Sequence, residues 1–126
     1  SSPAGAAALS AGVQGKFERL DLLVNLFGYD GQGIAAAQAM IESVAELMTP
    51  RPKPRIVNVF WLAEQGDISA IEAATMRLHC ELPGHFQVNS IAVADETAAA
   101  DDIARVVLFL LSGESKAIRG ETIKIR

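Results

Sequence analysis

Asp21 to Gly28, DLLVNLFG, is an almost unbroken apolar run of strand length, closed by Gly28 and a turn-rich GYDGQG. A run without polar alternation fits a strand buried on both faces, as in a parallel α/β sheet. Arg55–Trp61 (RIVNVFW) and Gln87–Val93 (QVNSIAV) read the same way, and Glu121–Arg126 reads as a short final strand. Between these runs the period lengthens to that of a helix. Ile34, Ala37, Ile41, Val44 and Met48 alternate spacings of three and four. They predict a helix near 32–48 whose seam suits packing on its own sheet or across a dimer. Ile68, Ile71, Ala74 or Thr75, Leu78 and Leu82 predict a helix over 68–82. Asp67 suits its N-cap, Ser69-x-x-Glu72 has capping-box form, and Pro83-Gly84 stops it.

Ile103, Val106, Val107, Leu110 and Leu111 predict a helix over 99–112. Asp101 and Asp102 complement its dipole in the first turn, and Gly113 is its expected stop. An Ala-rich stretch with Leu9, Val13, Phe17 and Leu20 on one stripe predicts a helix near 4–18, weakened by Gly12 and Gly15. The alternating prolines of Pro50–Arg55 predict an extended connector. The expectation is one α/β domain over residues 1–126, with about four mainly parallel strands at 21–27, 55–61, 87–93 and 121–126.

Composition changes the picture in one respect. Hydrophobic residues make up 50% of the 126-residue chain and charged residues only 21%. That is rich for a small monomer, and implies apolar surface buried against a partner. The net charge of −4 argues against nucleic acid or an anionic membrane as a partner. The longest strongly apolar stretch, Val106–Leu111, is far short of the ~20 residues of a membrane span. No signal-peptide pattern opens the sequence. The single cysteine, Cys80, precludes an internal disulfide and fits a reducing compartment, so a cytoplasmic location is expected.

Two stretches invite a chemical reading. Gly28-x-x-Gly31-x-Gly33 lies between a strand and a helix, the context of a phosphate-cradling loop. Its spacing is not the dinucleotide fingerprint, and no acidic residue ends the next strand to hold a ribose. A turn and helix start is the reading adopted, with nucleotide binding by Gly28, Gly31 and Gly33 as the alternative. His79, Cys80, Glu81 and His85 cluster in sequence, but neighbours on a helix diverge by ~100° and no metal-ligand spacing is present. They read as a polar helix end, and no metal is expected. Ser, His and Asp occur without a nucleophile motif, and Tyr29 reads as a loop residue.

The strands also carry a family resemblance. DLLVNLFG is similar to the DVLVNNAG strand of short-chain dehydrogenases/reductases, RIVNVFW to GRIVNISS, and QVNSIAV to IRVNAIAPG. DDIARVVLFLLSGESKAIRGETIKI resembles the family's closing E-D-I-A-x-x-V-x-F-L-x-S-x-x-S-x-x-I-x-G pattern, with Gly120 at the turn before the last strand. The likeness covers nearly the whole chain but only the C-terminal half of the family's fold. It implies a truncated Rossmann-like three-layer architecture, its strands side by side in chain order.

The same resemblance removes the family's chemistry. The first strand and its glycine loop are absent. Phe60 and Trp61 stand where the catalytic Ser belongs, Ile68 at the Tyr and Glu72 at the Lys. Isoleucine transfers no proton, and a carboxylate reverses the charge that stabilises a phenolate. Val93-Ala94 replaces the family's Pro-Gly beside the cofactor, and Asn25 alone survives among the functional positions. No cofactor is therefore expected, with NAD(P) as the alternative.

The truncation also leaves strand 21–27 an apolar, unblunted edge with one face short of covering helices. A homo-oligomer or a companion subunit or domain is expected to cover it. Leu22, Leu23, Val24, Ile34, Ile41, Val44, Met48, Ile71 and Leu78 are the interface candidates. The expected role is a non-catalytic structural, oligomerisation or interaction module. The alternatives are a nucleotide sensor without turnover and a degenerate enzyme half completed by a partner.

Overall fold

The computed structural model describes residues 20–27, 33–62, 68–94 and 97–126. Strand β1 (Leu22–Phe27) leads to helix α1 (Gly33–Met48), β2 (Arg55–Trp61), α2 (Ile68–Glu81), β3 (Gln87–Val93), α3 (Ala100–Leu111), a 3-10 turn (Gly113–Ser115) and β4 (Thr122–Ile125). The four strands form one sheet in chain order, β1-β2-β3-β4, every pairing parallel. The helix predicted near 4–18 lies outside the described residues, as do Asp67, Tyr29, Gly28 and Gly31.

Burial explains why the strands read as apolar runs. All seven residues of β3 are buried, as are the five central residues of β2. One face packs under α1 and α2, where Ile41, Val44 and Met48 meet Ile56, Leu78 and Val88. The other packs under α3, where Val57, Val59, Ile91 and Val93 meet Ile103 and Leu110. This is the three-layer arrangement, with two of the described helices on one side of the sheet and one on the other.

Two local expectations are corrected. Ser69 lies inside α2, one residue after its start, so it is not the N-cap of a capping box. Glu72 instead faces Lys124 of β4, N to O 3.8 Å. Nor does Gly113 end α3 by its conformational freedom. Ser112 turns extended at φ −88° and ψ 161°, and both its backbone N–H and its hydroxyl donate to the carbonyl of Phe109.

A polar rung crosses the apolar face under α1 and α2. Asn25, Asn58, Ser90 and Thr122 occupy one register line across all four strands. Asn25 Nδ2 donates to Asn58 Oδ1 at 2.8 Å, and Ser90 Oγ lies 2.6 Å from Thr75 Oγ1, which bonds back to Ile71 O. Below the rung lie Ile56 and Val88; above it lie Phe27, Phe60 and Ala92. A one-residue slip of any strand would bury Asn or Ser against aliphatic groups, so the rung fixes register. Asn25→Ala is expected to cost about 1–3 kcal/mol in urea unfolding, because buried Asn58 loses its partner. Asn25→Leu combined with Asn58→Leu should recover most of that loss. A single variant as stable as the parent would show that the rung carries no weight.

Candidate functional site

In open parallel α/β sheets, sites form beyond the carboxyl ends of the strands. Here that end of β1 and β2 is filled with hydrocarbon. Phe27 and Phe60 stack at 5.3 Å between centroids and 21° between planes. Ala36, Ala37, Leu62, Ile71 and Ala92 complete the cluster, and Ile34 and Ile68 pack on its border. Gly33 opens α1 directly against this stack. A Cβ there would lie 2.8 Å from Phe27 Cβ and 3.1 Å from Phe60 Cδ1, so its glycine admits close helix–strand packing.

The positions singled out from the sequence divide between the two faces. Phe60 is buried toward α1 and α2, whereas Trp61 is half-buried toward α3, beside Val57 and Val59. Ile68 is half-buried on the aromatic cluster, and Glu72 is exposed on α2. Among the described residues the cluster around Phe27, Phe60, Ile68 and Leu62 is hydrocarbon.

The polar cluster at the end of α2 is likewise dispersed. Cys80 is exposed. His79 is half-buried against Gly120, and its Nδ1 has no hydrogen-bond partner among the described residues. His85 is exposed, and its Nε2 donates to Thr49 O at 2.7 Å. Among the described residues no group of three His, Cys, Asp or Glu side chains is placed to hold a metal ion.

The interface candidates separate along the same lines. Ile41, Val44, Met48, Ile71 and Leu78 are 1%, 2%, 0%, 3% and 6% exposed, and they are corrected to core. Their seam lies on the chain's own sheet, because α1 and α2 cover β1, β2 and β3 from one side. Leu23 and Ile34 are half-buried on that same side. Leu22 and Val24 remain exposed, at 43% and 38%.

With them stands Leu26, 63% exposed, which the apolar run alone did not distinguish from its neighbours. The signal for it was the two-residue period that puts 22, 24 and 26 on one face of a strand. That face is the one α3 covers over β2, and α3 packs chiefly on β2 and β3 rather than on β1. Among the described residues β1 is thus an edge strand whose apolar outer face is left uncovered. Further along the same side, α3 exposes Leu108 and Phe109. Among the described residues no helix is long and apolar enough to cross a membrane.

No protein-family model matches the chain, and no curated protein matches it. Solved structures do. An enoyl-[acyl-carrier-protein] reductase (NADH) from Aquifex aeolicus superposes with a TM-score of 0.79 at 16% identity, over 98% of this chain and 68% of that one. The aldohexose dehydrogenase of Thermoplasma acidophilum gives 0.76 at 13%, over 98% and 73%. A Brucella melitensis protein titled short-chain dehydrogenase/reductase SDR:Glucose/ribitol dehydrogenase gives 0.75 at 19%, over 98% and 70%. With its parallel sheet in chain order and helices on both faces, this chain has the fold of the short-chain dehydrogenases/reductases, in a shortened form.

Proposed function

We propose that this chain is a non-catalytic short-chain-reductase-like domain that works by association, through the face and edge of β1 that the described residues leave uncovered. The carrying observation is the exposure of Leu22, Val24 and Leu26 on a single face of an edge strand. An apolar strand with free backbone donors and acceptors takes a further strand or a covering helix readily. A second copy or a companion domain supplying those elements would bury that face. The aromatic stack of Phe27 and Phe60, and the Ile68 and Glu72 side chains where the resemblance puts proton transfer, support a scaffold rather than a self-contained oxidoreductase.

Sedimentation of the full chain at micromolar concentration is the direct test. The chain is expected to sediment as an oligomer, and Val24→Lys with Leu26→Lys to convert it to a folded monomer. In parallel, NADH and NADPH are titrated against it while energy transfer from Trp61, the only tryptophan, is followed. A flat titration is expected. A monomeric parent chain with saturable transfer to the reduced cofactor would replace the scaffold reading with a cofactor-binding one.

A further inference from the structure

The opposite end of the sheet, at the amino ends of β2 and β3, holds a cleft of about 250 Å³. Four of the chain's eleven Lys and Arg residues line it: Lys53, Arg55, Lys116 and Arg119. His85 stands beside them, and among the described residues no carboxylate lines the cleft. This concentration of positive charge contrasts with a net charge of −4 for the whole chain. Among the described residues the ion pairs join Arg51 to Asp21, Arg105 to Asp102 and Lys124 to Glu72. None of the four cleft cations is neutralised by them.

The two guanidiniums are held in place rather than merely nearby. Buried Gln87 accepts from Arg55 Nε at 3.1 Å through Oε1, and Arg55 Nη1 donates to Leu111 O at 3.1 Å. The amide of Gln87 meanwhile donates to Ser115 O, Ser115 Oγ and Ile118 O, which fixes the turn that carries Lys116 and Arg119. Arg119 Nη2 donates to the carbonyls of Gly84 and Phe86. These anchors leave Arg55 Nη2 and Arg119 Nη1 and Nε with no hydrogen-bond partner among the described residues. Pro52 and Pro54 stiffen the wall beside them.

We infer that this cleft is an anion site for a phosphate-bearing small molecule, bound by Lys53, Arg55, Lys116 and Arg119. Pinned guanidinium forks lose little freedom on binding, and lysines add point charges without a preferred geometry. Donors approaching from β2 on one side and from the turn before β4 on the other match a phosphoryl group, whose oxygens diverge. The inference does not depend on β1, which lies at the far side of β2.

The test is a titration of the full chain with inorganic pyrophosphate, followed by calorimetry and by amide chemical shifts. Saturable binding is expected, with shifts concentrated at residues 84–87 and 113–119. Lys53→Ala with Lys116→Ala, both exposed side chains, should weaken binding at least ~10-fold at unchanged thermal midpoint. Arg77→Ala, an exposed cation on α2, should leave it unaltered. Absence of saturation, shifts centred elsewhere, or equal weakening by Arg77→Ala would overturn the assignment.

Discussion

Replacing Phe86 by alanine is expected to lower the unfolding free energy by about 3–5 kcal/mol. Phe86 is 1% exposed and sits just before β3, where it joins Met48, Ile56, Leu78 and Val88 in the lower half of the core. The residue is fixed on every side. Its N–H donates to Pro83 O at 3.0 Å, its carbonyl accepts from Arg119, and its ring meets His85 edge to face at 5.2 Å. The strands and helices around it have regular backbone bonds to keep, so the space left by the ring cannot close fully. Urea unfolding followed by far-UV circular dichroism should show a lower midpoint at an unchanged slope. A loss under about 1 kcal/mol would mean that α1, α2 and the sheet do not pack as described.

Gly120→Ala is expected to cost about 2–4 kcal/mol, through two separable causes. The first is backbone conformation, since Gly120 has φ +69°, where a side chain is disfavoured. The second is contact, since an added Cβ would lie 3.0 Å from His79 Cδ2, 3.1 Å from Cγ and 3.3 Å from Cβ. His79 Cβ belongs to the stem of a helical residue and cannot swing away. The turn itself cannot retreat, because Gly120 N–H donates to Val88 O at 2.7 Å. Adding His79→Ala to Gly120→Ala should therefore restore about 1 kcal/mol by removing the ring contacts, leaving the conformational part and the Cβ contact behind. Strictly additive losses in the two single variants would show that the contact with His79 is not felt.

The fold was legible where one residue type dominates a local choice. RIVNVFW and QVNSIAV are buried on both faces, and their length and β-branched residues mark such a strand when polar alternation is missing. Gly120 was legible for the same reason, since it carries a backbone state that other residues avoid. Patterns failed where two environments produce the same sequence. A seam of Ile41, Val44 and Met48 looks alike whether it meets a sheet or a second subunit, and only the position of β2 decides between them. Ser69 and Glu72 have capping-box spacing, yet the helix starts before Ser69.

The remaining features required register. Asn25, Asn58, Ser90 and Thr122 come from four strands, and nothing in any one of them announces a shared line. Lys53, His85 and Lys116 lie more than thirty positions apart and meet only because β2 and β3 are neighbours whose amino ends share one edge.

The chain-order sheet also has a kinetic meaning. Each strand finds its partner about 32 residues away, so the three closures cost nearly the same loop entropy and none is a long-range search. β2 and β3 exchange bonds with neighbours on both sides, whereas β1 is held by β2 alone and β4 by β3 alone among the described strands. The fold should thus open from its edge strands, β1 among them, by local excursions that leave the β2–β3 centre intact. Amides of β1 would then exchange with solvent sooner than those of β3. A chain that binds partners through β1 would be offering a strand that detaches more easily than the centre, so capture of a partner and tightening of its own edge become one event.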